Sequence, residues 1–491
     1  MVAHHRSFKD GMTSILAGFV RGLSAIRVKS DWLAAGEGDR MTTRVILVRH
    51  GQSTFNLQQL IQGQIDVSEL TELGIAQAQQ VGATLKGITF DQIYASPLKR
   101  AYKTAETIVE VLRSERVDTP LPQAVDTIKE IDLPLWEGIS FREAEEKYPE
   151  IYRLWREDPQ NCMMPLADGT EFYPVRSLYE RATQFWQDIL PQHDGHTVLV
   201  VAHSAINRAL IATAIGQGPD IHEQLGQANC AISVLNFAGT LGEGVQLESM
   251  NLTSHMGETL PTMRSRHRGP RMLLVRHGET EWNRQKRFQG QIDIPLNENG
   301  KRQGGQAAEF LKDVKIDAAV SSSLSRPKET AELILQHHPQ VTLATTDGLK
   351  EIGHGEWEGL YEHEIESGYP GMLQQWQEKP ETVQMPGEGG ESLAQVWARA
   401  IATWNEIVAQ YSHTETPVTV LVSAHDAINK AILCHVAGLG PESFWKFKQG
   451  NGAVSVIDYP NGVESAPVLT AANLTMHLSG SIFDQTAAGA L

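Results

Sequence analysis

VILVRHGQSTFN occupies residues 45–56, and MLLVRHGETEWN occupies residues 272–283. Each begins as a short apolar run and turns directly into Arg-His-Gly. Val45–Val48 reads as a buried parallel strand, which would put His50 at the strand's carboxyl end. One such tripeptide carries little weight. A near-copy at an offset of 227 needs an explanation.

The copying extends through most of the chain. IQGQIDVSELTELG (61–74) matches FQGQIDIPLNENG (288–300), and YASPLKRAYKTAE (94–106) matches VSSSLSRPKETAE (320–332). KEIDLPLWEG (129–138) matches KEIGHGEWEG (350–359), LVVAHSAINRALI (199–211) matches LVSAHDAINKAIL (421–433), and NCAISVLNF (229–237) matches NGAVSVIDY (451–459). The period is domain-sized, far beyond solenoid repeats. It divides the 491 residues into an extension at 1–40, a first domain at 41–256, a linker at 257–270, a second domain at 271–478 and a tail at 479–491. The extension has no repeat counterpart and is expected to be floppy or a targeting segment. The small, polar tail is expected to be frayed.

Within a half, strands alternate with helices. Leu73, Ala76, Val81 and Leu85 have helical spacing over 72–86. Ile93–Ala95 reads as a second strand with a helix from about Arg100, and Val198–Ala202 as a third entering a helix at 204–215. This order predicts two tandem α/β domains of three layers, each a mainly parallel sheet with helices on both faces. The aromatic-rich stretch 135–195 is expected over the sheet edge.

Composition narrows the partners. Hydrophobic residues at 41% and charged residues at 21% fit a soluble globular protein, and no apolar run is long enough to span a bilayer. A formal charge of −17 argues against nucleic acid, so an anionic substrate must be drawn in by local positive charge. Cys162, Cys230 and Cys434 are too far apart for a metal or redox motif and read as buried small residues in a reducing, cytoplasmic setting. Trp155, Trp186, Trp376 and Trp404 are expected in the core. The pairs His4-His5 and His337-His338 are expected in solvent.

Open α/β sheets bind ligands at the carboxyl ends of their strands. His50, Arg100 and His203 fall there in the first half, and His277, Arg326 and His425 in the second. Adding Arg49 and Asn56, or Arg276 and Asn283, gives two Arg, two His and one Asn around each point. That combination makes a pocket for a dianionic phosphoryl group, because guanidinium forks match phosphate oxygens. A neutral imidazole can attack phosphorus, and the ring of donors stabilises the equatorial oxygens. Glu130 and Glu351, each in a matched K-E-I…W-E-G stretch, are candidates to protonate the leaving oxygen. No metal or other cofactor is required. The expected partner is a small phosphorylated molecule.

The pattern R-H-G-[QE]-[ST]-x-x-N, with the later S-x-L-x-R, E-x-x-x-x-x-W-E-G and A-H segments, resembles the histidine phosphatase superfamily in its phosphoglycerate mutase-like branch. The resemblance covers nearly all of 41–478. It implies that His50 and His277 are nucleophiles and that Arg49, Asn56, Arg100 and His203 bind phosphate, as do Arg276, Asn283, Arg326 and His425. It implies that Glu130 and Glu351 are the general acids. WREDPQN, YPVRSLYERA and the flanking first-half segments look more narrowly like the two-domain 2-carboxy-D-arabinitol-1-phosphatase group, which acts on sugar-acid phosphates and sugar bisphosphates. The sequence departs from the family after the second His, with Ser204 and Asp426 where Gly is usual, and at LADGTEFYPVRSL (166–178) against PGEGGESL (386–393). Asp426 is expected to weaken phosphate binding in the second half. A phosphoglycerate mutase or bisphosphoglycerate phosphatase is the alternative enzyme, the mutase disfavoured because the R-H-Y-G stretch of family mutases is missing. A phosphate-sensing module without catalysis is the alternative of another class, disfavoured because both residue sets are whole.

Overall fold

The computed structural model describes residues 42–264, 267–414 and 416–487, so the extension at 1–40 lies outside the described residues. In the first half, β1 (Thr43–Arg49), β2 (Gln92–Ala95), β3 (Gln123–Ala124) and β4 (Thr197–Ala202) are parallel. β5 (Ile232–Phe237) runs antiparallel beside β1, and β6 (Val245–Leu252) antiparallel beside β5. The second half repeats this with β7 (Arg271–Arg276), β8 (Ala318–Ser322), β9 (Leu343–Thr346), β10 (Thr419–Ala424), β11 (Val454–Asp458) and β12 (Val468–Leu474).

The alternation of β1 explains the layers. Val45 and Leu47 face one core, and Ile46 and Val48 the other. On the second face pack α2 (Glu72–Thr84) and α3 (Lys99–Arg113), with α1 (Thr54–Gln58) ahead of them. On the first face pack α4 (Pro174–Ile189) and α5 (Ser204–Ala214). The equivalents are α6 (Glu281–Gln285), α7 (Glu298–Leu311), α8 (Ser325–Leu335), α9 (Leu393–Tyr411) and α10 (Asp426–Val436). This is the three-layer architecture expected of each half. Two details differ. Leu73 and Ala76 lie on the outside of α2, whose inner face is Gly74, Gln77, Ala78 and Val81. The stretch at 135–195 also supplies α4, a layer of the core and more than an edge cover.

The two sheets are fused. The strand order is β9-β8-β10-β7-β11-β12-β6-β5-β1-β4-β2-β3, one twelve-stranded sheet joined where β6 meets β12. Each seam strand is buried along its whole length. Two asparagines fasten it reciprocally. Asn251 Nδ2 donates to the Thr470 carbonyl and Asn473 Nδ2 to the Glu248 carbonyl, both at 2.7 Å. From β1 through β5, β6, β12 and β11 to β7, every neighbour is antiparallel. Five reversals leave β7 opposed to β1, so the carboxyl ends of β1 and β7 lie at opposite ends of the sheet.

Neither connecting segment hangs free. In the linker, Arg264 Nη2 donates to the Glu223 carbonyl at 2.7 Å, and the Pro261 carbonyl accepts from Arg271 at 2.9 Å. The tail, expected to fray, is docked as far as it is described: Ile482 is buried, Phe483 lies under the Arg44 guanidinium at 4.0 Å, and the Asp484 amide donates to Glu248. Short polar side chains found backbone partners there, which composition alone does not disclose. The four named tryptophans and three cysteines are buried as expected. His338 is buried, against the expectation of solvent, because it closes the end of α8.

Candidate active sites

The repeated dodecapeptide encodes a strand end, a close approach and a helix start. After β1, Gly51 passes so near Gly74 that a Cβ would sit 2.3 Å from the Gly74 carbonyl oxygen, and Gly278 stands equally close to Gly300. No other residue fits there. Ser53 then caps α1: its hydroxyl accepts from the Asn56 amide, and the Asn56 side chain accepts from the Ser53 amide. Thr280 and Asn283 form the same reciprocal cap. This leaves both asparagines at the strand mouth with their Oδ1 atoms occupied. Each also accepts from a second asparagine, Asn229 or Asn451, whose Nδ2 donates as well to the His50 or His277 carbonyl.

The nucleophile candidates are fixed in one tautomer. His50 Nδ1 lies 2.7 Å from the Gly51 carbonyl oxygen, and His277 Nδ1 lies 2.7 Å from that of Gly278. A carbonyl only accepts, so Nδ1 carries the proton and Nε2 the lone pair. Burial, with Arg49 and Arg100 nearby, holds His50 well below the ordinary imidazole range. Burial, with Arg326 and Arg276, does the same for His277. Both rings are therefore neutral near pH 7.

The second histidines close the pockets. The rings of His50 and His203 are 5.2 Å apart, and those of His277 and His425 are 5.1 Å apart. His203 Nε2 pairs with Ser96 Oγ at 2.7 Å and His425 Nε2 with Ser322 Oγ at 2.9 Å. Their Nδ1 atoms are buried without a partner among the described residues.

The arginines are pinned by backbone. Arg49 Nη1 donates to the Gln227 carbonyl, and Arg100 donates to the carbonyls of Gly63 and Ile65. Arg276 and Arg326 repeat this on Gln449, Gly290 and Ile292. One N–H is spared each time. Among the described residues the Nε of Arg49, Arg100 and Arg276 is buried and unpartnered, while Arg326 Nε donates to His277 Nε2 at 3.3 Å. Burial lowers Arg49 to about 10 against the pull of Glu130, with Arg208 and Arg100 adding to the fall, so it stays cationic.

The carboxylates differ between halves. Glu130 sits on the first turn of α5, with Oε1 accepting from the amides of Ala205 and Ile206 at 3.1 and 3.2 Å. Glu351 receives one such bond on α10, from Ala427 at 3.4 Å. Burial and the neighbouring Asp426 push the Glu351 carboxyl up to about 7. Asp426 is itself buried, 2.7 Å from Lys430 Nζ and 3.5 Å from Arg276 Nη1.

All twelve residues singled out in the sequence thus gather at two strand ends, six at each. Several supporting residues were missed. Ser96 and Ser322 orient the second histidines, and Asn229 and Asn451 tie the first histidine to its helix cap. Glu358 accepts from the amides of Gln291 and Ile292, bracing the loop that holds Arg326. All of these lie inside matched segments, so repetition marked them without saying what they do. Among the described residues no cluster of His, Cys, Asp or Glu could hold a metal ion, and no helix is long and apolar enough to cross a membrane.

Residues 45–253 and 272–471 each match the sequence profile of the histidine phosphatase superfamily (branch 1). A 2-carboxy-D-arabinitol-1-phosphatase of Triticum aestivum is 32% identical over 441 residues, covering 89% of this chain and 86% of that one. A probable 2-carboxy-D-arabinitol-1-phosphatase of Arabidopsis thaliana is 32% identical over 446 residues, 89% of this chain and 88% of its own. Phosphoserine phosphatase 1 of Hydrogenobacter thermophilus is 33% identical over 215 residues, 44% of this chain and 95% of its own.

Proposed function

The chain belongs to the histidine phosphatase superfamily, branch 1, and is a phosphomonoesterase; from that premise we propose that 41–256 and 271–478 are two catalytic units, each hydrolysing small sugar or sugar-acid phosphates through a phosphohistidine. One observation carries this reading. In each half a neutral imidazole presents the Nε2 lone pair to a pocket whose walls hold buried N–H groups that lack a partner or, at Arg326, bond that same Nε2. Unpaired buried donors are costly unless a ligand satisfies them. A phosphoryl group does so with its three equatorial oxygens.

The steps follow from these positions. His50 Nε2 attacks phosphorus as the P–O bond to the leaving group breaks, and the proton stays on Nδ1, donated to the Gly51 carbonyl. Arg49 Nε, Arg100 Nε, Asn56 Nδ2 and His203 Nδ1 donate to the phosphoryl oxygens. Glu130 gives its proton to the leaving oxygen, then takes one from the attacking water, which releases phosphate and restores His50. In the second half His277, Arg276, Arg326, Asn283, His425 and Glu351 take these parts. The similarity to 2-carboxy-D-arabinitol-1-phosphatases over both halves supports sugar-acid phosphates as the substrate class.

Rapid-quench labelling with a ³²P-labelled sugar-acid phosphate tests it. Acid-labile label is expected on the wild type, with one share lost in His50→Ala, the other in His277→Ala, and all of it in the double variant. Acid-stable label, or label that survives in the double variant, would refute the mechanism.

A further inference from the structure

A cavity of about 370 Å³ lies along the seam, walled by Arg49, Arg208 and Gln227 of the first half, Thr262 and Arg264 of the linker, and Thr470 of the second half. Its polar lining is unbalanced. Arg208 Nε and Gln227 Nε2 are buried donors without a partner among the described residues. Arg208 and Arg264 share one carboxylate, Glu223, at 3.5 and 3.3 Å. Asp458, also on the wall, is fully engaged by Arg271 and Thr470. Glu258 is exposed.

The second half shows what belongs at such a place. Lys448–Gly450 correspond to Gly226–Ala228 of the cavity wall. The tail lays Asp484 against them, with its carboxylate buried, 3.9 Å from Lys448 Nζ and so close that a Cβ on Gly450 would meet it at 2.6 Å. Lys430, the counterpart of Arg208, has Asp426 at 2.7 Å. The second half thus carries its own carboxylates at both positions. The first half has Ser204, a single carboxylate, Glu223, shared by Arg208 and Arg264, and a cavity.

We propose that the seam cavity binds a small organic anion, with a carboxylate or phosphate group held between Arg208 and Arg264. That group has two possible sources, the distal acidic group of a substrate engaged at His50 or a separate molecule. The first source rests on the reading of His50 as nucleophile, whereas the cavity does not.

Malonate is the probe, titrated calorimetrically into the full chain. Losing one charged hydrogen-bond donor in Arg264→Gln should weaken a malonate site by about 10- to 100-fold. Arg264→Lys should restore part of it, and Thr262→Phe should abolish it by filling the space. Identical titrations for wild type, Arg264→Gln and Thr262→Phe would overturn the proposal. The source is read in a His277→Ala background, where only the first half turns over. A substrate's distal group predicts that Arg264→Gln raises KM about tenfold for 3-phosphoglycerate and leaves p-nitrophenyl phosphate unchanged. A separate molecule predicts equal KM values, with malonate altering p-nitrophenyl phosphate turnover only when Arg264 is present. Malonate binding intact beside a first half inactive on every ester would defeat the phosphatase reading and leave this one standing.

Discussion

Asp426 is the charged difference that lies beside Glu351, and changing it to Ser, the residue at position 204, should move the pH profile of the second half. The assay is kcat/KM for a small phosphomonoester from pH 5 to 9 in a His50→Ala background. Glu351 must be protonated to serve the leaving oxygen, and its carboxyl stands at about 7, so activity should fall as pH rises through about 7. Burial is the largest cause of that elevation and Asp426 the next. Asp426→Ser leaves burial in place, removes the negative charge and frees the cations of Arg276 and Lys430. The share lost is on the order of one pH unit, or about 1.4 kcal/mol. With the limb moved from about 7 to about 6, the protonated fraction at pH 7.5 drops from about 24% to about 3%, roughly eightfold. At pH 5 both proteins hold the acid protonated, and stronger phosphate binding should make the variant equal or better. The substrate's own ionisation cancels in the ratio of variant to parent. A ratio that stays flat from pH 5 to 9 would show that Asp426 does not tune Glu351.

The raised Glu351 carboxyl also bears on stability: the folded state binds its proton more tightly than the unfolded chain, so stability should fall as pH rises from about 4.5 to 7. Glu351→Gln should therefore be neutral near pH 4 and stabilise by up to about 3 kcal/mol at pH 8 in urea titrations. Asn251→Ala and Asn473→Ala each leave a buried seam carbonyl without its donor and should cost about 1–3 kcal/mol, read from the urea midpoint. A fragment spanning 42–264 bares the whole edge of β6 and should self-associate on size exclusion, whereas a monomer with unchanged melting would contradict the seam's role. Phosphatase activity should persist after EDTA treatment, since the positive charge comes from side chains, and loss reversed by added metal would argue otherwise.

The site was legible because its chemistry sits at strand ends and recurs at a fixed offset. His50, Arg100 and His203 are far apart in sequence, yet the rule that α/β sheets bind ligands at carboxyl ends placed them together. The seam was not legible. β6 and β12 carry polar residues at Glu248, Asn251, Thr470 and Asn473, and the burial of these depends on a partner strand some 220 residues away. Pattern reports a strand's own periodicity and not which edge it will meet. The docked tail escaped for a related reason: Thr486 Oγ1 accepts from the Asn451 amide and the Asp484 amide donates to Glu248, and small polar residues give no apolar signal of burial.

Fusion at the seam also explains how two matched toolkits can serve different molecules. Phosphoryl-binding groups are the same residue types in both halves, so discrimination falls to the walls where the leaving group would lie. There the halves part. In the second, Glu391 takes Arg399 and the Gly353 amide, which neutralises that arginine. In the first, Tyr173 stands at the position of Glu391, and Arg181 instead faces the half-buried Asp132, the counterpart of Gly353. With the sites at opposite ends of one sheet, each border meets a different segment: the linker beside Arg49, the tail beside Gly450. The linker brings Arg264 and leaves a cavity, while the tail brings Asp484 and fills its place. A duplication with unfused halves would present two equivalent mouths to solvent. Joined through β6 and β12, the copies are unequal at their borders, and a substrate whose second acidic group reached Arg264 would be told there from one without.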